Sequence, residues 1–198
     1  MSKVTNILLV GVGGQGTILA SKILSTGLVE KGYDVKMAEI HGMSQRGGSV
    51  STQVRFGEQV YAPVVEEGDV DILVSFETME TYRWLDFLKK DGKVVMNRHE
   101  IPSAPVLSGK MSYPENLEEE IKGKISDIVI FDAMEEAEAL GNFKTMNVVL
   151  LGALVKAMDL EDFDWEDVIK RTVKEKFVDI NILAFNRGKE IYEGLSGR

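Results

Sequence analysis

The sequence predicts an α/β domain in which a mostly parallel, mixed sheet lies between two layers of helices, with a β-hairpin and a helical C-terminus. Three observations predict it. Apolar runs of strand length alternate with stretches of helical spacing up to residue 131, the signature of βαβ units. A glycine-rich turn, Gly11-Val12-Gly13-Gly14-Gln15-Gly16, separates the first run from the first helical stretch. Beyond residue 132 the strand pattern stops and only helical spacing continues.

In chain order, residues 4–10 form a buried strand and residues 17–31 a helix whose apolar face carries Ala20, Ile23, Leu24, Gly27 and Leu28. Gly32 closes that helix, and residues 34–40 give a second strand. A second glycine-rich stretch follows, His41-Gly42-Met43-Ser44-Gln45-Arg46-Gly47-Gly48, where a simple doubly wound fold would begin another helix. Residues 49–56 and 59–62 alternate about Gly57-Glu58 and read as the two strands of a β-hairpin, closed by Pro63. Residues 71–76 are a strand, 78–89 a helix with Trp84, Leu85 and Leu88 inward, and 93–96 another strand after the Asp91-Gly92 turn. Pro102, Pro105 and Pro114 make 97–115 an irregular connection. Residues 115–122 form a glutamate-rich helix, 126–131 the last strand, and Asp132 caps a helix over 133–140. Residues 143–158 are apolar nearly all round, implying a helix buried against the sheet or another subunit, with Gly152 and Ala153 as a close-approach face. Amphipathic helices over 164–177 and 180–192 complete the chain, the last presenting Ile180, Leu183, Ala184 and Ile191 on one face. The whole is a Rossmann-like three-layer α/β/α arrangement, and no linker or repeat divides residues 1–198 into more than one domain.

Composition narrows the function. Lys plus Arg is 23 against 32 for Asp plus Glu, a net charge of −9, so nucleic acid and anionic membranes are poor partners. The start of the chain lacks the pattern of a secretory signal and the longest apolar stretch is too short to span a bilayer, which points to the cytoplasm. There is no cysteine, so this chain can hold neither a disulfide nor a cysteine-ligated iron–sulfur cluster. With two histidines besides, no zinc or Cys-His constellation is available; His99 reads as a solvated loop residue.

The candidate site residues lie on the two glycine loops. In the first, Gly11, Gly13, Gly14, Gln15 and Gly16 give a tight turn and close backbone approach, and the following helix offers N–H groups and a positive dipole end to an anion. Such turns also serve packing alone. In the second, Arg46 between Gln45 and the bare backbone of Gly47 and Gly48, with Ser44 nearby, suits bidentate capture of phosphate or carboxylate; the same loop would also shape a subunit contact. Because strands one and two both lead into these loops, the loops belong at one carboxyl edge of the sheet. Glu39 has the spacing of a ribose-binding acid in NAD proteins, and reads equally as an edge-of-sheet glutamate or a partner of Arg46. A stand-alone NAD-binding protein and a non-catalytic assembly subunit therefore remain open readings.

The two loops, together with Asn147, Leu151-Gly152-Ala153-Leu154 and Asn181-x-x-Ala184-Phe185-x-x-Gly188, resemble the gamma-type subunits of 2-oxoacid:ferredoxin oxidoreductases over nearly the whole chain. HGMSQRGGSV is most similar to the small (beta) subunit of the indolepyruvate members. The resemblance implies an enzyme, inactive as this chain alone, in which a large (alpha) partner subunit carries thiamine diphosphate, magnesium and iron–sulfur clusters. An arylpyruvate from aromatic amino-acid breakdown would be oxidatively decarboxylated, its acyl group passed to coenzyme A and the electrons to ferredoxin. It also implies that the loops around Gly13 and Arg46 approach the coenzyme's phosphates or the mouth of the partner's active site. A subunit contact would then account for the apolar helix at 143–158.

Overall fold

The computed structural model describes residues 4–41 and 47–196. Their strands and helices run β1 (Thr5–Val12), α1 (Thr17–Glu30), β2 (Asp34–His41), β3 (Ser49–Gly57), β4 (Val70–Ser75) and α2 (Thr78–Arg83) in the first part of the chain. There follow β5 (Leu88–Asn97), α3 (Ala104–Leu107), α4 (Leu117–Lys124), β6 (Ile128–Phe131), α5 (Ala133–Ala139), α6 (Met146–Ala157), α7 (Trp165–Thr172) and α8 (Val178–Leu195). One six-stranded sheet has the order β2-β3-β1-β4-β5-β6. β1, β4, β5 and β6 pair in parallel, and β3 is antiparallel to both of its neighbours.

Alternation along the strands divides the core into two layers. Ile7 and Leu9 of β1, Ile72 and Val74 of β4 and Val95 of β5 face one layer with residues of α1, α5, α6, α7 and α8. Leu8, Val10, Leu73, Val94 and Met96 face the other, with Ile121 of α4 and the rings of Tyr82 and Trp84 beside α2. The helices that follow β1 and β4 thus lie on opposite faces. That makes the carboxyl end of the β1/β4 pair the switch point of the sheet, where α/β folds open a crevice.

Four expectations are corrected. Residues 59–62 form no strand; the hairpin is β2–β3, paired from Asp34↔Gly57 to His41↔Val50. The 59–65 stretch is held by side chains instead: Asp34 accepts from Val60 N at 2.8 Å, Gln53 from Val65 N at 2.7 Å, and Arg55 donates to the carbonyls of Ala62 and Val64. Helix 78–89 stops at Arg83, and β5 begins at Leu88 opposite Val70, bulging through Asp91-Gly92 before parallel pairing resumes at Lys93. Leu183 faces solvent at 55 % exposure while Asn181 and Phe185 of α8 are buried. The apolar helix needs no other subunit: ten of its residues from Met146 to Val155 are buried within this chain.

The partner that buries α6 is chiefly α8. A Cβ on Gly152 would stand 2.0 Å from the Phe185 carbonyl oxygen, and one on Gly188 would stand 1.9 Å from that of Val149. The two helices therefore touch backbone to backbone, each through the other's glycine. α5 is capped as the sequence indicates, Asp132 accepting from Glu135 N at 2.9 Å.

The end of β5 is tied to α4 by an ion pair. Arg98 donates to both Glu118 oxygens, at 2.7 and 3.0 Å, and Lys122 donates to one at 2.6 Å. The Arg98 guanidinium, assisted by Lys122 and opposed by partial burial, holds the Glu118 carboxyl down to about 2 from its ordinary 4.5. A carboxyl depressed in the folded state stabilises fully above about pH 4.5, and that stabilisation is lost as pH falls toward about 2. Glu118→Gln is expected to flatten the fall in melting temperature between about pH 5 and about pH 3, read by circular dichroism. An unchanged slope would remove this pair from the acid response.

Candidate functional site at the carboxyl edge of the sheet

The register brings the two glycine loops together. Val12 of β1 pairs with Ser49 of β3, and His41 of β2 with Val50, so the turn after β1 and the stretch before β3 leave the sheet side by side. They are then joined directly: Gly13 N donates to Gly48 O at 2.9 Å and Gly47 N to Gly13 O at 3.4 Å. Gly11, Gly13, Gly14, Gln15 and Gly16 with Gly47 and Gly48 thus form one edge. Ser44, Gln45 and Arg46 lie outside the described residues.

Gly11, Gly14, Gln15 and Gly16 of the first loop each have a physical job. Gly14 and Gly16 take left-handed backbone, φ 106° and 81°, which disfavours any side chain. Gly11 leaves room for Gln15, whose Oε1 would be 2.8 Å from a Cβ there. Gln15 Oε1 accepts from Val12 N and its Nε2 donates to Phe76 O, both at 2.7 Å. The Gln15 amide therefore braces the end of β1 against the end of β4, across the switch-point crevice.

Gly16 also caps α1. No side chain caps that end and its first turn carries no acid, so its N–H groups and dipole present positive potential at the loop. Asn147 at the start of α6 donates to Gly16 O at 3.0 Å, and its own Oδ1 is buried without a partner among the described residues. On one side of the loop a cleft of about 360 Å³ is lined by Gly13, Thr17, Ile18 and His41. On the other, a cleft of about 530 Å³ adds His99, Phe143, Lys144 and Asn147. Lys144 is a cation that sequence reasoning did not single out, since nothing local ties residue 144 to residue 16.

Glu39 does not occupy a ribose-binding position. β3 is inserted between β2 and β1, so Glu39, opposite Thr52, stands two strands or about 10 Å from β1. Its carboxylate lies 3.4 Å from His41 Nε2. That geometry argues against a dinucleotide site at Glu39.

Beyond Gln15, on the α2 face, is a buried carboxylate that sequence reasoning also missed. Glu77 caps α2, Oε2 accepting from Glu80 N at 2.9 Å, while Oε1 accepts from Ile101 N at 3.0 Å and Tyr113 OH at 2.7 Å. Its pattern with Glu80 is a cap signal, but glutamate is not a favoured capping residue, and its partners from 101 to 113 are remote in sequence. Burial, followed by the Glu77 hydrogen bond, pushes the Tyr113 phenol well above its ordinary range, so it remains a donor.

No group of three or more His, Cys, Asp or Glu side chains able to hold a metal occurs among the described residues, and none of their helices is long and apolar enough to cross a membrane. With no cysteine, this chain has no thiolate to offer an iron–sulfur cluster.

Residues 6–191 match the family model described as pyruvate ferredoxin/flavodoxin oxidoreductase. The chain is 40% identical to the indolepyruvate oxidoreductase subunit IorB of Thermococcus kodakarensis over 97% of this chain and 98% of that one. Among solved structures it resembles the gamma subunit of a keto/oxoacid ferredoxin oxidoreductase from Geobacter sulfurreducens, with a TM-score of 0.71 and 22% identity over 96% and 99% of the two chains. It also matches the 2-oxoglutarate:ferredoxin oxidoreductase of Magnetococcus marinus, TM-score 0.73 and 17% identity, over 100% of this chain and 32% of that chain. The family-model match over residues 6–191 and the identity to a relative over nearly the whole chain make this chain a member of the pyruvate ferredoxin/flavodoxin oxidoreductase family.

Proposed function

We propose that the chain is the small subunit of an arylpyruvate ferredoxin oxidoreductase of the indolepyruvate type. In this reading a larger partner holds thiamine diphosphate, magnesium and iron–sulfur clusters, which supply the decarboxylation and electron-transfer chemistry. The supporting observation is the 40% identity, over 97% of this chain, to an indolepyruvate oxidoreductase subunit, in a chain with no cysteine of its own. Coenzyme A enters as co-substrate and ferredoxin as acceptor, and the assembly works in the cytoplasm.

The work of this chain's own residues is binding and orientation. The glycine edge presents main-chain donors and the α1 N-terminus to an anion, for which the phosphates of coenzyme A are the proposed occupants. Lys144 adds a positive charge at the cleft, and Arg46 with Ser44 and Gln45 is proposed to complete the set. Gln15 and Asn147 hold the loop in place from within the chain.

Arg46→Ala in the assembled enzyme is expected to raise the KM for coenzyme A about tenfold or more, equal to about 1.4 kcal/mol of lost binding, with assembly intact. Steady-state assays of ferredoxin reduction check it, and unchanged kinetics would remove Arg46 from the anion site.

A further inference from the structure

The α2 face of the same edge carries a third cavity, of about 340 Å³, which Gly47 borders but which is lined chiefly by α2 and residues 101–114. Its apolar lining comes from Val12, Met79, Ile101, Pro105, Val106, Met111 and Pro114. That volume lies within the range of small-molecule sites, and the lining has their usual character, apolar walls carrying a few placed polar groups, here Glu77, Glu80, Arg83 and Tyr113 with three serines.

Glu77 already accepts from Glu80 N, Ile101 N and Tyr113 OH, which leaves Glu80 as the acid with an oxygen to offer a guest. The residue is 5 % exposed, although α2 is already capped by Glu77 and needs no second acid. Ser49 Oγ donates to Glu80 Oε2 at 2.5 Å. Among the described residues, Oε1 has an ionic neighbour in Arg83 Nε at 3.6 Å, beyond hydrogen-bonding length, with the Arg83 side chain 55 % exposed. Burial pushes the Glu80 carboxyl above its ordinary range, reinforced by the nearby Glu77, with Ser49, Arg83 and the Trp84 side chain offsetting only part of the cost. A buried acid kept at such expense, with one acceptor position incompletely used, is what a recognition site requires.

The surroundings restrict what it recognises. Arg83 beside the acid disfavours a cationic guest, and the acid disfavours an anionic one. Proline, valine and methionine walls suit the faces of a flat ring, and methionine sulfur makes favourable contacts with aromatic groups. We propose that this cavity binds a neutral aromatic ring bearing an N–H donor, with Glu80 Oε1 accepting from that donor. The inference rests on the functional reading above only for the two sources of such a ring: the indole of an arylpyruvate and the adenine of coenzyme A.

The test compares wild-type and Glu80→Leu enzyme assembled with the partner subunit, measuring KM for indolepyruvate, phenylpyruvate and coenzyme A. A rise of tenfold or so for indolepyruvate, with phenylpyruvate and coenzyme A unmoved, assigns the cavity to the aryl group, since phenylpyruvate has no ring N–H. The same rise confined to coenzyme A assigns it to adenine. Val106→Trp, filling the cavity from the opposite wall, should raise the same constant. Three unchanged KM values, or an equal rise in all three, overturn the proposal. Saturation-transfer NMR of the full chain with indole and with adenosine reads ring binding without turnover. Should the complex oxidise no arylpyruvate, the functional reading fails, while loss of the NMR signal in Glu80→Leu still supports the cavity and an absent wild-type signal overturns it.

Discussion

Gly152→Ala is expected to cost the chain about 4 kcal/mol or more, lowering its melting temperature by about 10 °C or preventing recovery of folded protein. The added Cβ would lie 2.0 Å from the Phe185 carbonyl oxygen, where carbon–oxygen contacts are normally about 3.3 Å. Neither party can yield cheaply. The obstructing atom is helical backbone, and α6 is buried on nearly every side, so relief requires the whole α6–α8 pair to separate. Gly188→Ala places a Cβ 1.9 Å from Val149 O in the same crossing and should act alike. The double variant should then cost less than the two added together, because the first substitution has already forced the helices apart. Thermal unfolding followed by circular dichroism decides the matter, and a Gly152→Ala chain that melts within about 2 °C of wild type would refute the backbone-contact reading.

Glu77→Ala is the second large effect. Its carboxylate, 1 % exposed, accepts from Ile101 N, Tyr113 OH and Glu80 N, fastening α2 to the proline-rich 99–114 segment. Truncation leaves those donors without a partner in or near the core, each worth about 1–3 kcal/mol when stranded, for an expected total of about 3–5 kcal/mol. The loss should be local before it is global. Amide exchange is expected to accelerate most at Ile101 and the residues following it, while the α6–α8 pair keeps its protection up to the reduced global stability. Uniformly faster exchange, or none, would mean that Glu77 does not staple that segment. Glu77→Gln should recover part of the loss, since its oxygen still accepts but its amide brings donors to a site built for an acceptor.

Periodicity and glycine placement disclosed much of this architecture, and the failures have physical causes. Short-range signals gave β1, α1, the Asp132 cap and the helical C-terminus, because each depends on residues within a few positions of one another. Alternation over residues 59–62 marked burial of Val60, not strand pairing, and the backbone groups there are satisfied by Asp34, Gln53 and Arg55. The insertion of β3 between β2 and β1 is a choice of register between distant segments, which no local pattern encodes. The all-apolar stretch before residue 158 announced a buried helix without naming its partner. That partner is fixed by Gly152 and Gly188, thirty-six residues apart in the chain.

The site divides in the same way. That the two glycine loops share an edge followed from both strands running toward them, and the Gly13–Gly48 hydrogen bond joins them. The bracing role of Gln15 was hidden because its partner, Phe76 O, is sixty-one residues away. Glu77 and Glu80 were missed because isolated acids at a helix start read as a solvated face until the fold buries them, and Lys144, which stays exposed, because nothing local ties it to residue 16.

The most direct test of the proposed function is anaerobic affinity purification of the tagged chain from its native extract, followed by assay of the eluate for ferredoxin reduction. The expected result is a brown complex with a larger, thiamine diphosphate- and cluster-bearing subunit that reduces ferredoxin only when arylpyruvate and coenzyme A are both supplied. A colourless chain that elutes alone and binds NAD saturably would contradict it.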